Sequence, residues 1–386
     1  MMETANKNKK KLGGMYLHIP FCIKKCNYCA FCSYRPEEDE KEKYVKTLIK
    51  ELELRKDEID ECDTIYFGGG TPSLLTPTQI DKILQTVFKK YSISQNPEIT
   101  IEANPATLTA NNLIELKKAG INRLSMGFQS MNNSTLKKLG RVHSAEDSVK
   151  EFYLARKAGF DNINLDIIFS VPGTNCSDVI FDLEKIIKLG PEHISFYSLQ
   201  LEEGTPFFEE FLKGELEEID DSIDRMMYHL GCDLLKDKGY EHYEISNFCK
   251  KGFRSRHNSK YWNMNEYLGI GLGASSFIKG IRKMNTTDAE KYYKFISKGE
   301  FPFIEKHVNS LHDNISEAIF TGLRRAEGIK FDDIITSKEK FLKYYKEEIP
   351  ELCNFIKNGD VVITNEGLYI TEKGIDISNK IMALFV

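Results

Sequence analysis

The sequence predicts an α/β fold in which parallel strands alternate with helices. Short apolar runs alternate with longer amphipathic stretches through the first two hundred residues. Gly120, Gly159 and Gly190 each follow an amphipathic stretch, where a helix-ending glycine is expected. The chain of 386 residues is long enough for one large domain and one or two small ones.

Six strand–helix units are predicted in this first part of the chain. The candidate strands are Met15–Ile19, Thr64–Phe67, Ile99–Glu102, Arg123–Gly127, Asn162–Ile168 and His193–Leu199. The candidate helices are Lys41–Glu58, Thr78–Tyr91, Asn111–Ala119, Ala145–Ala158 and Asp178–Leu189. Such units predict parallel strands covered by helices, but six of them are too few to close an eight-unit barrel. Functional residues are expected at the C-terminal ends of the strands.

The pattern changes after Gly204. A helix is predicted over Asp220–Lys238, ended by Gly239, and a strand over Tyr240–Phe248. Two helices, Asn314–Arg325 and Phe331–Lys346, precede a hairpin around Asn365-Glu-Gly367. We therefore predict a C-terminal α+β extension and a small winged-helix-like domain. The predicted divisions are a mobile basic arm at 1–13, an α/β core at 14–204, the extension at 205–300 and the winged-helix-like domain at 301–386.

Composition and charge narrow the functional classes. A hydrophobic fraction of 41% and a charged fraction of 29% are ordinary for a globular protein. The net charge of −5 gives no overall attraction to nucleic acid, so no nucleic-acid partner is expected. No stretch is long and apolar enough to span a bilayer, and no signal peptide precedes the clustered cysteines. We expect a cytoplasmic protein without disulfides.

Three cysteines lie within eight residues, in Cys22-Ile-Lys-Lys-Cys26-Asn-Tyr-Cys29, just after the first predicted strand. Thiolates at such close spacing form a metal or cluster site. Three thiolates on an iron–sulfur cube leave one iron free to bind another ligand. Zinc, with Cys32 or His18 as the fourth ligand, is the alternative, although structural zinc usually takes two separated ligand pairs.

Further polar and glycine residues follow the predicted strands. The loop Gly68-Gly69-Gly70-Thr71-Pro72 lets the backbone approach a ligand and expose amides to an anionic group. A carboxylate inside a barrel strand is costly unless it is paired or bound to a ligand. The alternative is a structural ion-pair network across the barrel. The candidate ligand-binding side chains are Glu102, Gln129, Arg141 and Asp166.

The cysteine spacing CxxxCxxC resembles that of the radical S-adenosylmethionine (SAM) superfamily. This resemblance implies a partial (β/α)6 barrel and a 4Fe-4S cluster held by Cys22, Cys26 and Cys29. It also implies that the open iron chelates SAM and that the loop containing Gly69, Gly70 and Thr71 contacts the SAM amino group through carbonyls. Tyr16 and Tyr28 flank the cluster motif and would line the SAM pocket, although both could equally be packing residues.

As a set, the motifs resemble one branch of this superfamily, the oxygen-independent coproporphyrinogen III dehydrogenases and their relatives. Within the branch the chain is similar to the HemW-type haem chaperones. The matching segments are Tyr16-Leu-His-Ile-Pro-Phe-Cys22, Gly68-Gly-Gly-Thr-Pro-Ser73, Glu102-Ala-Asn-Pro105, Arg123-Leu-Ser-Met-Gly-Phe-Gln-Ser130, Leu139-Gly-Arg141, Asn164-Leu-Asp166, His257-Asn-Ser-Lys-Tyr-Trp262 and Tyr267-Leu-Gly-Ile-Gly-Leu-Gly-Ala274.

Two features separate this sequence from the dehydrogenase. That enzyme carries CxxxCxxCxC, whereas Phe31 occupies the position of its fourth cysteine here and the next cysteine is Cys32. The dehydrogenase also has a longer N-terminal segment before its cluster motif. Cys32 departs from the usual chaperone pattern as well.

The stretch His257-Asn-Ser-Lys-Tyr-Trp262 has the residue types that haem needs. His257 would be an axial ligand, and Tyr261 and Trp262 an apolar wall. Arg254 and Arg256 would be partners for the propionates. The alternative is a surface turn with an anchoring tryptophan and a histidine that is hydrogen-bonded within the protein.

The resemblance implies a haem chaperone that binds a 4Fe-4S cluster, SAM and haem and passes haem to acceptor haem proteins, among them respiratory proteins. Membrane-bound acceptors would be served peripherally. The alternative is an enzyme: a coproporphyrinogen III dehydrogenase, or another HemN-like radical SAM enzyme such as a methyltransferase.

Overall fold

A computed structural model describes residues 12–37 and 39–386. The predicted arm at 1–13 lies almost wholly outside the described residues. Within them, six parallel strands form the centre of one large sheet, β1 to β6 in sequence order. They are β1 (Gly13–Ile19), β2 (Glu61–Gly69), β3 (Ser92–Ala103), β4 (Arg123–Gln129), β5 (Ile163–Phe169) and β6 (His193–Ser198).

Helices connect these strands and cover one face of the sheet. The five predicted helices are present. The helices of this part are α1 (Glu40–Leu54), α2 (Pro77–Lys90), α3 (Ala110–Lys118), α4 (Asn133–Lys138), α5 (Ala145–Lys157) and α6 (Cys176–Leu189). Local sequence signals begin and end them: Thr76 and Gln79 form a capping box at the start of α2, and Gly190 ends α6 at φ 70°.

Alternate side chains along β4 face the hydrophobic core and the polar interior of the barrel. Leu124, Met126 and Phe128 belong to the hydrophobic core beneath the helices. The residues between them, such as Ser125 and Gly127, line a cavity. Side chains from β2 to β6 line the same cavity, so the sheet curves around it as a partial barrel.

The sheet continues beyond both ends of the parallel block. At the β6 end, β8 (Asn247–Cys249) and β7 (Glu241–Glu244) add antiparallel to it. At the β1 end, β9 (Tyr267–Ile270) is parallel to β1, and three antiparallel strands follow it. These are β10 (Ser275–Ile278), β11 (Ile281–Asn285) and β12 (Phe303–Val308). Strand β12 therefore joins the large sheet although it follows the predicted division at residue 300.

The extension also contains four helices. The predicted helix Asp220–Lys238 is present, whereas the stretch around His257 is helical rather than a turn. They are α7 (Pro206–Leu212), α8 (Asp221–Asp237), α9 (Arg256–Trp262) and α10 (Ala289–Ser297).

The C-terminal part has a hydrophobic core of its own, built around Ile319, Phe341 and Ile381. The predicted hairpin is present and pairs with a third short strand. The strands are β13 (Ile329–Lys330), β14 (Val361–Ile363) and β15 (Gly367–Ile370), and the helices are α11 (Leu311–Gly322), α12 (Phe331–Ile334), α13 (Lys338–Tyr344), α14 (Ile349–Asn358) and α15 (Ser378–Ala383).

The prediction of one helix over Phe331–Lys346 is wrong. The chain forms α12 and α13 instead, because Thr336 adopts the left-handed conformation at φ 78° and Ser337 caps the second helix.

No helix among the described residues combines the length and the apolar character needed to cross a membrane.

Candidate functional site

The clustered cysteines open onto the cavity inside the partial barrel. The cavity measures about 500 Å³, and Cys22, Cys26 and Cys29 line it together with side chains from β2 to β6. It therefore lies where parallel α/β folds carry their sites, next to the loops that follow the strands.

The cysteine loop is anchored to the barrel at both of its ends. The Cys22 amide donates to the Tyr34 carbonyl at 2.9 Å, and the Tyr34 amide donates to the Pro20 carbonyl at 2.8 Å. Phe21 is fully buried between these contacts and packs edge-on against Tyr34 and Tyr44. This closure holds the three thiols at one side of the cavity.

Hydrogen bonds connect two of the cysteines through the barrel. Thr71 Oγ1 lies 3.6 Å from Cys22 Sγ and accepts from Asn104 Nδ2 at 2.7 Å. Arg141 donates to Asn104 Oδ1 at 2.5 Å and to Cys26 Sγ at 3.4 Å. Such contacts to the ligand sulfurs orient them and tune a cluster.

Glu102 and Asp166 lie on neighbouring sides of the same cavity. Glu102 accepts from the Tyr66 hydroxyl at 2.8 Å and from the Gly69 amide at 3.0 Å, and Asp166 accepts from Asn164 at 2.8 Å. Burial raises the pKa of Glu102 to about 7 and raises that of Asp166 as well. Two buried carboxyls with raised pKa in one cavity are suited to bind hydroxyl and amino groups.

We expect the stability of the protein to reflect the raised pKa of Glu102. The folded state holds its proton up to about pH 7, whereas the ordinary pKa is 4.5. Glu102 therefore contributes free energy of unfolding that is present below pH 4.5 and is lost as pH rises from 4.5 to 7. Glu102→Gln should lack this loss, so its stability relative to the wild type should increase with pH. Urea unfolding of both proteins at pH 5 and pH 8 measures the difference; an equal difference at both pH values would contradict the expectation.

Arg141 does not belong to the structural ion-pair network across the barrel that was the alternative for the polar strand residues. Its guanidinium contacts Cys26, Asn104 and the Gly127 carbonyl. No ion pair joins it to Glu102 or Asp166 in the described residues. Arg141 therefore lies at the cluster side of the cavity rather than in a network across the barrel.

The backbone amides of the glycine loop are not exposed to an anionic ligand, contrary to the expectation from the sequence. The Gly69 amide donates to Glu102, the Gly70 amide to the Ile19 carbonyl at 2.8 Å, and the Thr71 amide to the Phe21 carbonyl at 2.7 Å. These three amides donate hydrogen bonds within the protein, so they are not available to an anion. Gly70 has no room for a side chain, since a Cβ there would lie 2.7 Å from the Phe21 carbonyl oxygen.

Gln129 and Tyr28 also line the cavity. Gln129 ends β4 in the left-handed conformation at φ 68°, at an irregularity in its pairing with β5. An outlier of this kind at a strand end is typical of a functional site. Tyr28 stands between the cysteines and Arg141, and burial raises the pKa of its hydroxyl.

Arg123 is a cavity residue to which sequence reasoning assigned no role. It is 1% exposed, and its Nε has no hydrogen-bond partner. Its positive charge opposes the effect of burial on the pKa of Glu102 and Asp166. A charged residue at the start of the otherwise apolar run Arg123-Leu-Ser-Met was the signal available in the sequence.

Tyr16 does not itself line the cavity that holds the three cysteines. It lines a second cavity, on the other side of the cysteine loop. Its hydroxyl lies 3.2 Å from His18 Nδ1, and its ring stacks against Tyr66. Because Met15 and Leu17 face the hydrophobic core, alternation along β1 turns Tyr16 to the inner face of the barrel beside Tyr66, and its place at a SAM pocket stays a prediction.

His257 does not face either cavity. It is 1% exposed, and its Nδ1 and Nε2 lie 2.8 Å from Thr64 Oγ1 and 2.9 Å from the Tyr261 hydroxyl. Burial lowers its pKa to about 3. Both ring nitrogens are thus engaged inside the protein, an environment that argues against the predicted axial-ligand role and matches the histidine of the alternative.

The neighbouring candidates for haem contacts are engaged too. Arg254 pairs with Glu241 at 2.6 Å, and Arg256 pairs with Asp63 at 2.8 Å. Trp262 is half-buried under the Arg324 guanidinium, 4.5 Å from its ring. This helix therefore joins the C-terminal domain to the barrel rather than forming an open haem pocket.

The zinc alternative lacks a fourth ligand. His18 is buried, with Nδ1 facing Tyr16 and Nε2 lying 2.8 Å from the Cys32 carbonyl. Cys32 lines the second cavity rather than the one with the three cysteines. Among the described residues, no three His, Cys, Asp or Glu side chains lie close enough to hold a single metal ion.

The three free thiols fit a multi-atom cluster better than a single ion. They are half-buried, free of disulfides, and share one side of the cavity with the Arg141 cation. Beyond them lies a cavity lined by carboxyls and amide groups, large enough for a small organic cofactor. The residues present therefore fit a 4Fe-4S cluster and SAM.

Comparison with known proteins extends over the whole chain. A model of the Radical SAM superfamily matches residues 16–186. The heme chaperone HemW of Lactococcus lactis is 35% identical over 98% of both chains. The heme chaperone HemW of Bacillus subtilis is 33% identical over 96% of this chain and 98% of the relative.

A mitochondrial protein and a solved structure are also similar. Radical S-adenosyl methionine domain-containing protein 1 of Danio rerio is 36% identical over 82% of this chain and 73% of that protein. Coproporphyrinogen III oxidase (HemN) of Escherichia coli superposes with a TM-score of 0.85, covering 97% of this chain and 90% of that chain at 21% identity. The latter likeness shows the fold.

Proposed function

The chain belongs to the HemW family of the radical SAM superfamily, and from this premise we propose that it is a haem chaperone that binds a 4Fe-4S cluster, SAM and haem. The observation that carries the proposal is the end-to-end match with heme chaperones, 96–98% of each chain at 33–35% identity. Its haem would pass to acceptor haem proteins, including respiratory proteins at a membrane surface, from a cytoplasmic location.

In this proposal the cysteines bind the cluster and the barrel residues contact SAM. Cys22, Cys26 and Cys29 would hold the cluster, and the cluster would supply a binding point for SAM when both are present. Arg141, beside Cys26, would supply a cation at this boundary. Glu102, Gln129 and Asp166 would accept or donate hydrogen bonds to SAM deeper in the cavity. The Thr71 carbonyl accepts from the Leu74 amide at 3.0 Å, so a backbone contact of this loop with the SAM amino group would use the Gly69 or Gly70 carbonyl.

We expect Glu102→Ala and Asp166→Ala to weaken SAM binding without loss of iron. Each removes a buried acceptor from the cavity, which should cost on the order of 1–3 kcal/mol of binding free energy if the bonded group is charged. Calorimetric titration of the reconstituted protein with SAM measures this. Glu115→Gln, at an exposed ion pair with Lys118, is the matched control and should bind as the wild type does. Unchanged affinity in both cavity variants would return Glu102 and Asp166 to a structural role.

Two separate assays test the proposed function. After reconstitution without air, the protein should bind haem near one per chain and transfer it to an apo haem protein. Decarboxylation of coproporphyrinogen III should stay undetectable with cluster and SAM in place, since Phe31 replaces the fourth cysteine of the dehydrogenase pattern. Conversion of coproporphyrinogen to protoporphyrinogen would reject the chaperone and favour the enzymatic alternative.

A further inference from the structure

A second cavity lies against the outer side of the cysteine loop and has no part in the site described above. This groove has a volume of about 730 Å³, within the range of pockets that bind organic cofactors. Lys25, Phe31 and Ser33 line both cavities, so only the cysteine loop separates them. A ligand in the groove would therefore lie beside the cluster site.

Aromatic rings form part of the walls of the groove. Tyr34, Tyr261 and Tyr267 contribute rings, and Phe31 adds a side chain that is 68% exposed. An aromatic slot with a large exposed ring at its edge suits a flat apolar molecule better than a polar one. The exposed Lys25 at the same edge adds a positive charge for an acidic group.

The groove also holds two sulfur atoms. Cys32 is a free, half-buried cysteine, and its backbone is fixed by the contact of its carbonyl with His18 Nε2 at 2.8 Å. Gly273 faces it at φ 67°, and a Cβ there would lie 3.3 Å from Cys32 Sγ. Met284 brings a thioether to the same groove. Thiolate and thioether sulfurs are both established ligands of haem iron.

Other iron ligands in the groove are already engaged. The ring nitrogens of His18 lie next to the Tyr16 hydroxyl and the Cys32 carbonyl. Burial raises the pKa of Tyr261 and Tyr267, which disfavours their phenolate forms. Burial raises the pKa of the Cys32 thiol too, but Lys25 acts in the opposite direction, and a coordinated thiol loses its proton outright.

We propose that this groove is the haem site, with the Cys32 sulfur as an axial ligand of ferric iron and Lys25 next to a propionate. The proposal rests on the proposed chaperone function and names its binding site. On binding, an iron–sulfur bond forms between haem and Cys32, and the thiol proton is released to solvent. The iron keeps its oxidation state in this step.

Haem titration of the reconstituted full chain tests the site. The wild type should show the electron paramagnetic resonance and Soret band of thiolate-ligated ferric haem, recorded as a difference against the haem-free protein. Cys32→Ser should lose that signature and bind haem about tenfold or more weakly, with iron–sulfur content unchanged. Cys353→Ser, at an exposed cysteine on α14, is the matched control and should resemble the wild type.

A second pair of variants tests the groove without touching the ligand. Ser275 is exposed and lines the groove, so Ser275→Trp should fill it and weaken haem binding about tenfold. Ser297→Trp, at an exposed position at the end of α10, should have no effect.

The outcomes separate the site from the function. Haem binding that is unchanged in Cys32→Ser and Ser275→Trp would overturn the groove as the site and leave the chaperone proposal standing. Failure of the wild type to bind haem would overturn both. Loss of the thiolate signature in Cys32→Ser together with weaker binding in Ser275→Trp would support the groove.

Discussion

Cys26→Ala should abolish the iron–sulfur cluster of this protein. The wild type, reconstituted without air, should hold about four irons and four sulfides per chain on three thiolates. With one thiolate removed, a second iron would lack a protein ligand, and the nearest further cysteine, Cys32, faces the other cavity. Cys22→Ala and Cys29→Ala should behave alike. Iron and sulfide analysis and the absorption of the cluster measure the effect.

Cys32→Ala is the matched control for this prediction. It removes a cysteine from the same loop but from outside the cluster cavity, so the iron and sulfide content should equal that of the wild type. A cluster that survives in Cys26→Ala, or one that is lost in Cys32→Ala, would contradict the ligand set. Stable zinc in place of iron in the reconstituted wild type would contradict the cluster itself.

Glu51→Ala should destabilise the fold by about 3–5 kcal/mol of unfolding free energy, because it breaks a fully buried ion pair and leaves the Arg55 charge with Glu58 alone among the described residues, at 3.2 Å. Glu51 and Arg55 are both fully buried on α1 and pair at 2.9 Å. Glu51 also accepts from the Gly271 amide at 2.8 Å and the Tyr292 hydroxyl at 2.7 Å, and Arg55 donates to the Gly269 carbonyl at 2.6 Å. The pair thus fixes the glycine-rich run after β9 to the barrel.

Glu53→Ala is the matched control on the same helix. Glu53 is exposed and, within the described part of the chain, forms an ion pair only with Lys90 at 3.3 Å, so its loss should change the free energy of unfolding by about 1 kcal/mol or less. Urea unfolding of the three proteins under identical conditions gives the comparison. Equal stability of Glu51→Ala and Glu53→Ala would mean that the buried network is not needed for the fold.

The partners of Glu51 and Arg55 could not be predicted from the sequence. Sequence periodicity placed α1 and its apolar face, but it treated Glu51 and Arg55 as ordinary polar helix residues. Their partners, Gly269, Gly271 and Tyr292, lie more than two hundred positions further along the chain. Only the folded structure brings them together, because a hydrogen bond between distant residues leaves no local periodic signal.

The sequence by itself determined the parallel core and the cysteine site. Strands such as β4 are short apolar runs bounded by helices with local capping signals, and these are properties of neighbouring residues. The three cysteines lie within eight positions, so one loop brings Cys22, Cys26 and Cys29 together. Glu102 at the end of β3 and Asp166 inside the apolar run of β5 were likewise recognisable as costly carboxylates, and both line the cavity.

The tertiary structure alone decided which neighbouring side chains share a cavity. Tyr16 and Cys32 are close to the cluster motif in sequence, yet both side chains line the second groove in the folded chain. His257 carries the residue type of a haem ligand, but its two ring nitrogens meet Thr64 and Tyr261 in the folded chain. The sequence specifies the chemical type of a side chain. Only the folded structure decides which of its hydrogen-bonding atoms already have a partner within the protein.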